Sequence, residues 1–458
     1  MTSQPLAIMI AGTHSGAGKT TATGVVLRGL IDRGLRVQSF KLGPDFIDPG
    51  YHREITGRPS INLDLWLMGS DGVRDSFRRW SAGADICVIE SMGALFDGTD
   101  GTGHGSAAHV AKLLGVPVVV IIDVWGMTRT AAAILSGLRD FDSELRWAGC
   151  VVNRSGSPGH TRMIMNGLPT DLQQTVIGAI ERDPGLAVPE RHLGLLTVDE
   201  NEATIGVRSD HQRRAAAGLD LDRLLARAAA DPGDAVITTP HKPSAEHPAR
   251  ARLAVARDRA FCFYYEENLQ MLRRTGFELV EFRPTVDHEL PADVDAVYLG
   301  GGYPESFAAE LAGNRSLLSE LRRRAADGMP IWAECGGMMY LARSLTGFDG
   351  VRHRLAGVLP IDVIMDRDYL SIRYAELRTR SDSPLGPSSS RLWAQEFHQS
   401  RIIADDLEPN LFDGVTSSGE KFAAGYQVGK VVASYLHLHL SRTPQVADSL
   451  MAAALARR

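Results

Sequence analysis

The chain has 458 residues, 44% hydrophobic and 23% charged, with a formal charge of −6. That length needs more than one core, and the balance is that of a globular protein rather than a disordered tail or a fibre. No basic run marks a nucleic-acid arm, and the longest apolar run, "VPVVVIID", is far short of a bilayer span, so neither nucleic acid nor membrane is an expected partner.

The first residues show no basic segment followed by a long apolar one. Cys87, Cys150, Cys262 and Cys335 stand far apart with no CxxC pair, so a reducing, cytoplasmic setting is expected. From residue 6, short β-branched runs ("LAIMIAG", "RVQSFKLG", "ADICVIES", "VPVVVIIDV", "LRWAGCVVNR", "QQTVIGAI") alternate with helical segments, which predicts βαβ units on a parallel sheet. An Ala-, Pro- and Asp-rich stretch at 229–250 reads as a linker between a first domain at 1–228 and a second at 251–458. In the second, "RLAVARD", "FELVEFRP", "VDAVYLGGG", "MPIWAECGG" and "GKVVASYLHLHL" resume the alternation. The predicted fold class is α/β, two domains that are each a mostly parallel sheet flanked by helices.

The first strand runs into "AGTHSGAGKT", and a helical "TATGVVLRGLIDRG" follows. Strand, glycine-rich turn, Lys-Thr and helix form a phosphate-binding loop, with Thr13 where the usual formula has a glycine. Ser15, Gly16, Ala17, Gly18, Lys19, Thr20 and Thr21 are the expected ATP-binding residues. Backbone N–H groups cradle phosphate there, Lys19 reaches the outer phosphates and Thr20 offers its hydroxyl to Mg²⁺. The next strand ends in "KLGPDFIDPGYH", which carries Asp45 and Asp48, and "VIESMGALFDG" ends a later strand with Glu90 and Asp97. Ligands of open α/β sheets bind at that strand edge. Glu90, Thr20 and Asp45 are the expected metal set, and Asp45, Asp48 and Asp97 the groups that position the reacting centre.

In the second domain "MPIWAECGGMMYLARSL" reads as strand, tight turn and helix with Cys335 at the turn. A helix N-terminus favours the thiolate, so a lowered thiol pKa is expected, and Gly336 and Gly337 offer N–H groups to an oxyanion. His437 in "ASYLHLHL" is the candidate base. His437 and His439 share a face if the segment is a strand, and His398 in "EFHQS" is a weaker candidate for a supporting or substrate contact.

Taken together, "GTHSGAGKT", "KLGPDFIDPGYH", "INLDLWLM", residues 90–97, "VARDRAFCFYYEENL", "YLGGGYPESFA", "WAECGGMMYL", "EFHQS" and "ASYLHLHL" resemble the cobyrinic acid a,c-diamide synthase family nearly end to end. The opening loop is similar to the dethiobiotin-synthetase-like branch of P-loop proteins. The resemblance implies a P-loop NTPase-like domain followed by a class I glutamine amidotransferase-like domain. It implies ATP- and Mg²⁺-dependent amidation of the a and c carboxylates of a corrinoid polycarboxylate, cobyrinic or hydrogenobyrinic acid, in cobalamin synthesis. L-glutamine would be the nitrogen donor, the intermediates would be acyl phosphates, and a homodimer is the assembly considered. It further implies that Asn153 contacts the adenine. The acid that follows the catalytic histidine by two residues in class I amidotransferases is replaced by His439. Other departures from the family pattern are "ESMGALFDG", His109 in place of an acid, and Trp125 in place of a small residue or lysine. These leave room for the same chemistry on another acid, as in cobyric acid synthase, or on a nickel-sirohydrochlorin or natural-product acid. A partitioning-type P-loop regulatory ATPase is the alternative of another class. Such proteins carry a second lysine early in the loop, where this chain has Thr13 and His14, and they lack a cysteine-elbow domain.

Overall fold

The structure is a computed structural model that describes residues 5–188, 202–230 and 249–457. Most of the stretch read as a linker therefore lies outside the described residues. The chain divides into two compact units, Met1–Leu65 with Gly69–Pro243, and Trp66–Met68 with Ser244–Arg458.

The first unit is built on β1 (Leu6–Gly12), β2 (Val37–Leu42), β3 (Ile61–Leu63), β4 (Ile86–Ala94), β5 (Val118–Asp123), β6 (Trp147–Ser155) and β7 (Val176–Glu181). They form one sheet in the order β3-β2-β4-β1-β5-β6-β7, with every pairing parallel. Parallel strands covered on both faces become continuously apolar, which is why "VVVIID" lies inside the sheet, between β1 and β6. Alternate residues Ile8, Ile10, Val88, Ile121 and Val151 pack against Val25, Val26 and Leu30 of helix α1 (Lys19–Asp32). The chain enters α1 through Gly18, whose φ of +85° is left-handed and suits glycine. Helix α2 (Asp48–Thr56) begins with Asp48 and Pro49, a residue type that fits the first helical turn. The carboxyl ends of β1, β2 and β4 therefore carry the phosphate loop, the Asp45/Asp48 turn and Glu90.

The second unit holds β8 (Ala251–Ala256), β9 (Phe277–Phe282), β10 (Ala296–Leu299) and β11 (Ile331–Glu334), joined by the strands Val431–Ser434 and Tyr426–Val428. All neighbours in this six-stranded sheet are parallel except the last two. Its faces are both buried: Val297, Leu299 and Ile331 enter one core, and Ala296, Tyr298 and Trp332 the other. Both expected sheets are present, but the flanks of the second are not wholly helical. Residues 344–438 add a four-stranded and a five-stranded sheet, most of whose pairings are antiparallel. The strand Ser371–Thr379 shows why. Ala375, Leu377 and Thr379 are buried while the residues between them are not, a period of two that only a half-covered sheet satisfies. The inner face of that five-stranded sheet, with Ala375, Leu377 and Leu392, fills the core beside Tyr298 and Trp332.

Candidate functional site

At the phosphate loop, register places the chemistry. Lys41 of β2 and Ile10 of β1 both lie level with Glu90 of β4. The Lys41 ammonium donates to Asp48 Oδ2 at 2.5 Å and to Glu90 Oε1 at 2.9 Å, and lies 4.0 Å from Asp45. The Thr20 hydroxyl reaches the same two oxygens, Glu90 Oε1 at 2.8 Å and Asp48 Oδ2 at 3.3 Å. His52 holds the other oxygen of Glu90 at 2.7 Å and pairs with Ser60 through its second nitrogen at 3.1 Å. Lys41, Asp48, His52 and Glu90 are all buried. Burial would raise the Glu90 carboxyl, but Lys41 and His52 outweigh it and hold it well below the usual carboxylate range. Burial likewise opposes the charge on Lys41, and Asp48, Glu90 and Asp45 together raise its pKa. Asp48 keeps a raised value, from burial first and from Asp45 and Glu90 against Lys41. Lys19 is lowered by burial and by Lys41, and its ammonium donates to the His14 carbonyl at 3.3 Å.

Asp45 stands outside this core. Its Oδ1 accepts the Ile47 N–H at 2.7 Å and closes the turn. Asp97 is exposed in the loop beyond β4. A hard divalent cation asks for oxygen donors, and the hydroxyl of Thr20 with the carboxylates of Glu90 and Asp48 supply them. Among the described residues no three His, Cys, Asp or Glu side chains could hold a metal by themselves. A cation there would take few of its ligands from the protein, Thr20 and Glu90 foremost, and would supply charge neutralisation beside the loop.

Beside the loop is a cavity of about 510 Å³ lined by Thr21, Asp123, Trp125, Asn153, Arg182 and Pro184, among others. Asn153 is buried, and its amide donates to the Ala17 carbonyl at 2.9 Å. Arg154 donates to the Gly16 carbonyl at 3.1 Å and pairs with Asp123 at 2.7 Å. The end of β6 thus fixes the crest of the loop, where Ser15 and Gly16 are exposed and Ala17 is buried. Trp125 is 58% exposed, and the Arg182 guanidinium lies 4.5 Å from its ring centroid.

In the second unit β11 ends at Glu334, and Cys335 opens the short helix Gly336–Leu341 at φ 46° and ψ −105°. A non-glycine residue held there is strained, and such corners present a nucleophile. The thiol is buried, and burial, followed by the nearby Glu305, pushes its pKa up rather than down. The helix dipole loses here because the helix is only six residues long and the thiol is buried. His437, also buried, is lowered by burial and then by His398 to about 3. Burial thus favours the uncharged form of both side chains. A Cβ on Gly301 would lie 2.5 Å from His437 Cε1 and 3.2 Å from its Nε2. One on Gly336 would lie 3.2 Å from the Gly302 amide nitrogen, so base and elbow close on one glycine turn.

His437 and His439 have different surroundings. The strand there is only His437–Leu438. His439 Nδ1 accepts the Ser441 N–H at 3.3 Å, and its ring centroid lies 4.8 Å from that of Tyr265. His398 stacks on Tyr435 at 3.6 Å and pairs with the buried Glu396 at 2.8 Å. Sequence reading missed Lys41, Glu334 and Glu396. Each is a charged residue in or ending an otherwise apolar or alternating strand, which is the one signal that could have found them.

Residues 8–196 match the family model for a CobQ/CobB/MinD/ParA nucleotide binding domain, and residues 252–445 that for a CobB/CobQ-like glutamine amidotransferase domain. The chain is 39% identical to the cobyrinate a,c-diamide synthase of Syntrophotalea carbinolica, over 97% of each. It is 35% identical to that of Caldanaerobacter subterraneus, over 94% of each, and 36% identical to that of Dehalococcoides mccartyi strain CBDB1, over 97% of each. No described helix is long and apolar enough to cross a membrane. With a nucleotide-binding domain and a glutamine amidotransferase domain on one chain, this is an ATP-dependent ligase that takes its nitrogen from glutamine, and it belongs to the cobyrinate a,c-diamide synthase family.

Proposed function

We propose that the chain amidates the a and c side-chain carboxylates of a corrin-ring polycarboxylate, cobyrinic or hydrogenobyrinic acid, by way of acyl phosphates. The observation that carries this reading is the pair of reactive centres on one chain: Thr20, Lys41, Asp48 and Glu90 at a phosphate loop, and Cys335 with His437 at a strained elbow. ATP lies along residues 15–21, its base in the cavity beside Trp125 and Asn153. Lys19 meets the outer phosphates. Mg²⁺ would be held by Thr20 and Glu90, with Asp48 in the part first expected of Asp45, and supplies charge neutralisation at the phosphates. A substrate carboxylate oxygen takes the γ-phosphoryl group as the β–γ bridge breaks, a step favoured by positioning and by fixed positive charge. Lys41 holds Asp48 and Glu90 apart and fixed while this occurs.

At the elbow, the Cys335 proton passes to His437 Nε2 as sulfur attacks the glutamine carboxamide. The imidazolium returns the proton to the leaving nitrogen, ammonia departs, and water hydrolyses the thioester to glutamate. Ammonia then displaces phosphate from the acyl carbon. Both carboxylates would react in this way, within a homodimer.

Mass spectrometry of cobyrinic and hydrogenobyrinic acids after incubation with protein, ATP, Mg²⁺ and glutamine tests the reading. Two successive exchanges of OH for NH₂ are expected, abolished in Cys335→Ala and restored there by ammonia. No exchange on either ring, beside intact glutamine hydrolysis, would move the same chemistry to another polycarboxylate.

A further inference from the structure

We infer that Glu334, the residue immediately before the nucleophile, is the carboxylate that orients His437 in glutamine hydrolysis, an assignment that rests on the proposed glutaminase role of Cys335. Glu334 Oε2 lies 3.8 Å from His437 Nδ1, and both side chains are buried. The carboxylate is fixed from two sides. Its Oε1 accepts the N–H of Leu438, the residue after the histidine, at 2.9 Å, and its Oε2 accepts the Tyr298 hydroxyl at 2.8 Å. The acid is thus tied to the backbone that carries His437.

The ring is held from its other edge as well. Nε2 and Cε1 face Gly301, whose missing Cβ makes room for them. Nδ1 toward an acid and Nε2 against the Gly301–Gly302 turn that borders the elbow fits the division of labour that a cysteine or serine nucleophile needs from its base. The proton stays on Nδ1, Nε2 takes the thiol proton, and the resulting imidazolium faces the Glu334 carboxylate rather than apolar packing.

His439 stands two residues past the base but is engaged with Ser441 and Tyr265. The acid that this position lacks therefore arrives from a different strand, at the end of β11. Glu396 is the other buried acid nearby, but its carboxylate is already shared by His398, Arg373 and Ser371.

Glu334→Gln separates an orienting role from an anchoring one. The amide oxygen can still accept from Leu438, and the amide nitrogen can donate to the Tyr298 oxygen, so the local scaffold persists. The second N–H of that amide faces Nδ1 and forces the proton onto Nε2, the wrong tautomer for a base. In the full-length chain, glutamine-dependent kcat is expected to fall about 30-fold or more, with KM for glutamine and ammonia-dependent amidation both within about threefold. Glutamine-dependent turnover that survives in Glu334→Gln but not in Cys335→Ala would overturn the inference and leave the proposed function standing. Wild-type chain without any glutamine hydrolysis would remove both. A second measurement does not depend on how the variant folds. In ¹⁵N-histidine-labelled wild-type chain, with the His437 signals identified by their loss in His437→Gln, the imidazole is expected to carry its proton on Nδ1. A proton on Nε2 would overturn the inference.

Discussion

Lys41→Met tests whether the acids behind the phosphate loop are held by that one ammonium. Its contacts with Asp48 and Glu90 are 2.5 and 2.9 Å long, and each is worth roughly 6 kcal/mol before desolvation at an effective dielectric of 20. Most of this is cancelled by the cost of burying the three charges, and deleting one member of such a cluster typically costs about 3–5 kcal/mol. His52 stays on Glu90, so the lower end applies, a fall of about 6–12 °C in the melting of a unit this size. The pH dependence has a definite sign. An acid raised in the folded state, as Asp48 is, adds stability below its unfolded value and loses it as pH rises through the folded value. Without Lys41 that loss deepens, so the deficit of the variant is larger near pH 7.5 than near pH 5. Calorimetry of full-length wild type and variant at both pH values measures this, with glutamine hydrolysis confirming that the second unit is intact. A deficit under about 2 °C, or one that grows on acidification, would refute the argument.

Trp125→Ala removes an exposed ring from the cavity beside the loop and leaves the Lys41 cluster untouched. Steady-state kinetics should show KM for ATP raised about five- to tenfold, the worth of one lost stacking contact, with glutamine hydrolysis unchanged. Gly301→Ala drives a Cβ to 2.5 Å from His437 Cε1. Glutamine-dependent amidation should fall about 100-fold, and ammonia-dependent amidation measured in parallel should not.

Much of this molecule can be read from local pattern. Residues 15–21 and Cys335 announce themselves because a phosphate loop and a nucleophile elbow are made by consecutive residues, and both parallel sheets follow from apolar runs between helices. What escaped was set by register. Nothing near Lys41 in the chain says that it lies level with Glu90, 49 residues away. Glu334 meets the backbone of Leu438 across 104 residues, through strands whose order the sequence does not spell out. Asp45 and Asp48 looked equivalent in one turn, yet one caps that turn and the other starts a helix with its carboxylate directed at Lys41. The extra antiparallel sheets were written in period-two alternation such as that of Ser371–Thr379, overshadowed by the stronger signals on either side.

The backbone at Cys335 also bears on how such a chain can decay. Its φ of 46° is one that glycine adopts with less strain than cysteine. Selection for stability therefore pulls against the cysteine at this position, by about 1–3 kcal/mol. A lineage with ready access to free ammonia would find the loss of this side chain an easy step, and its descendants would keep the fold while abandoning glutamine as a substrate.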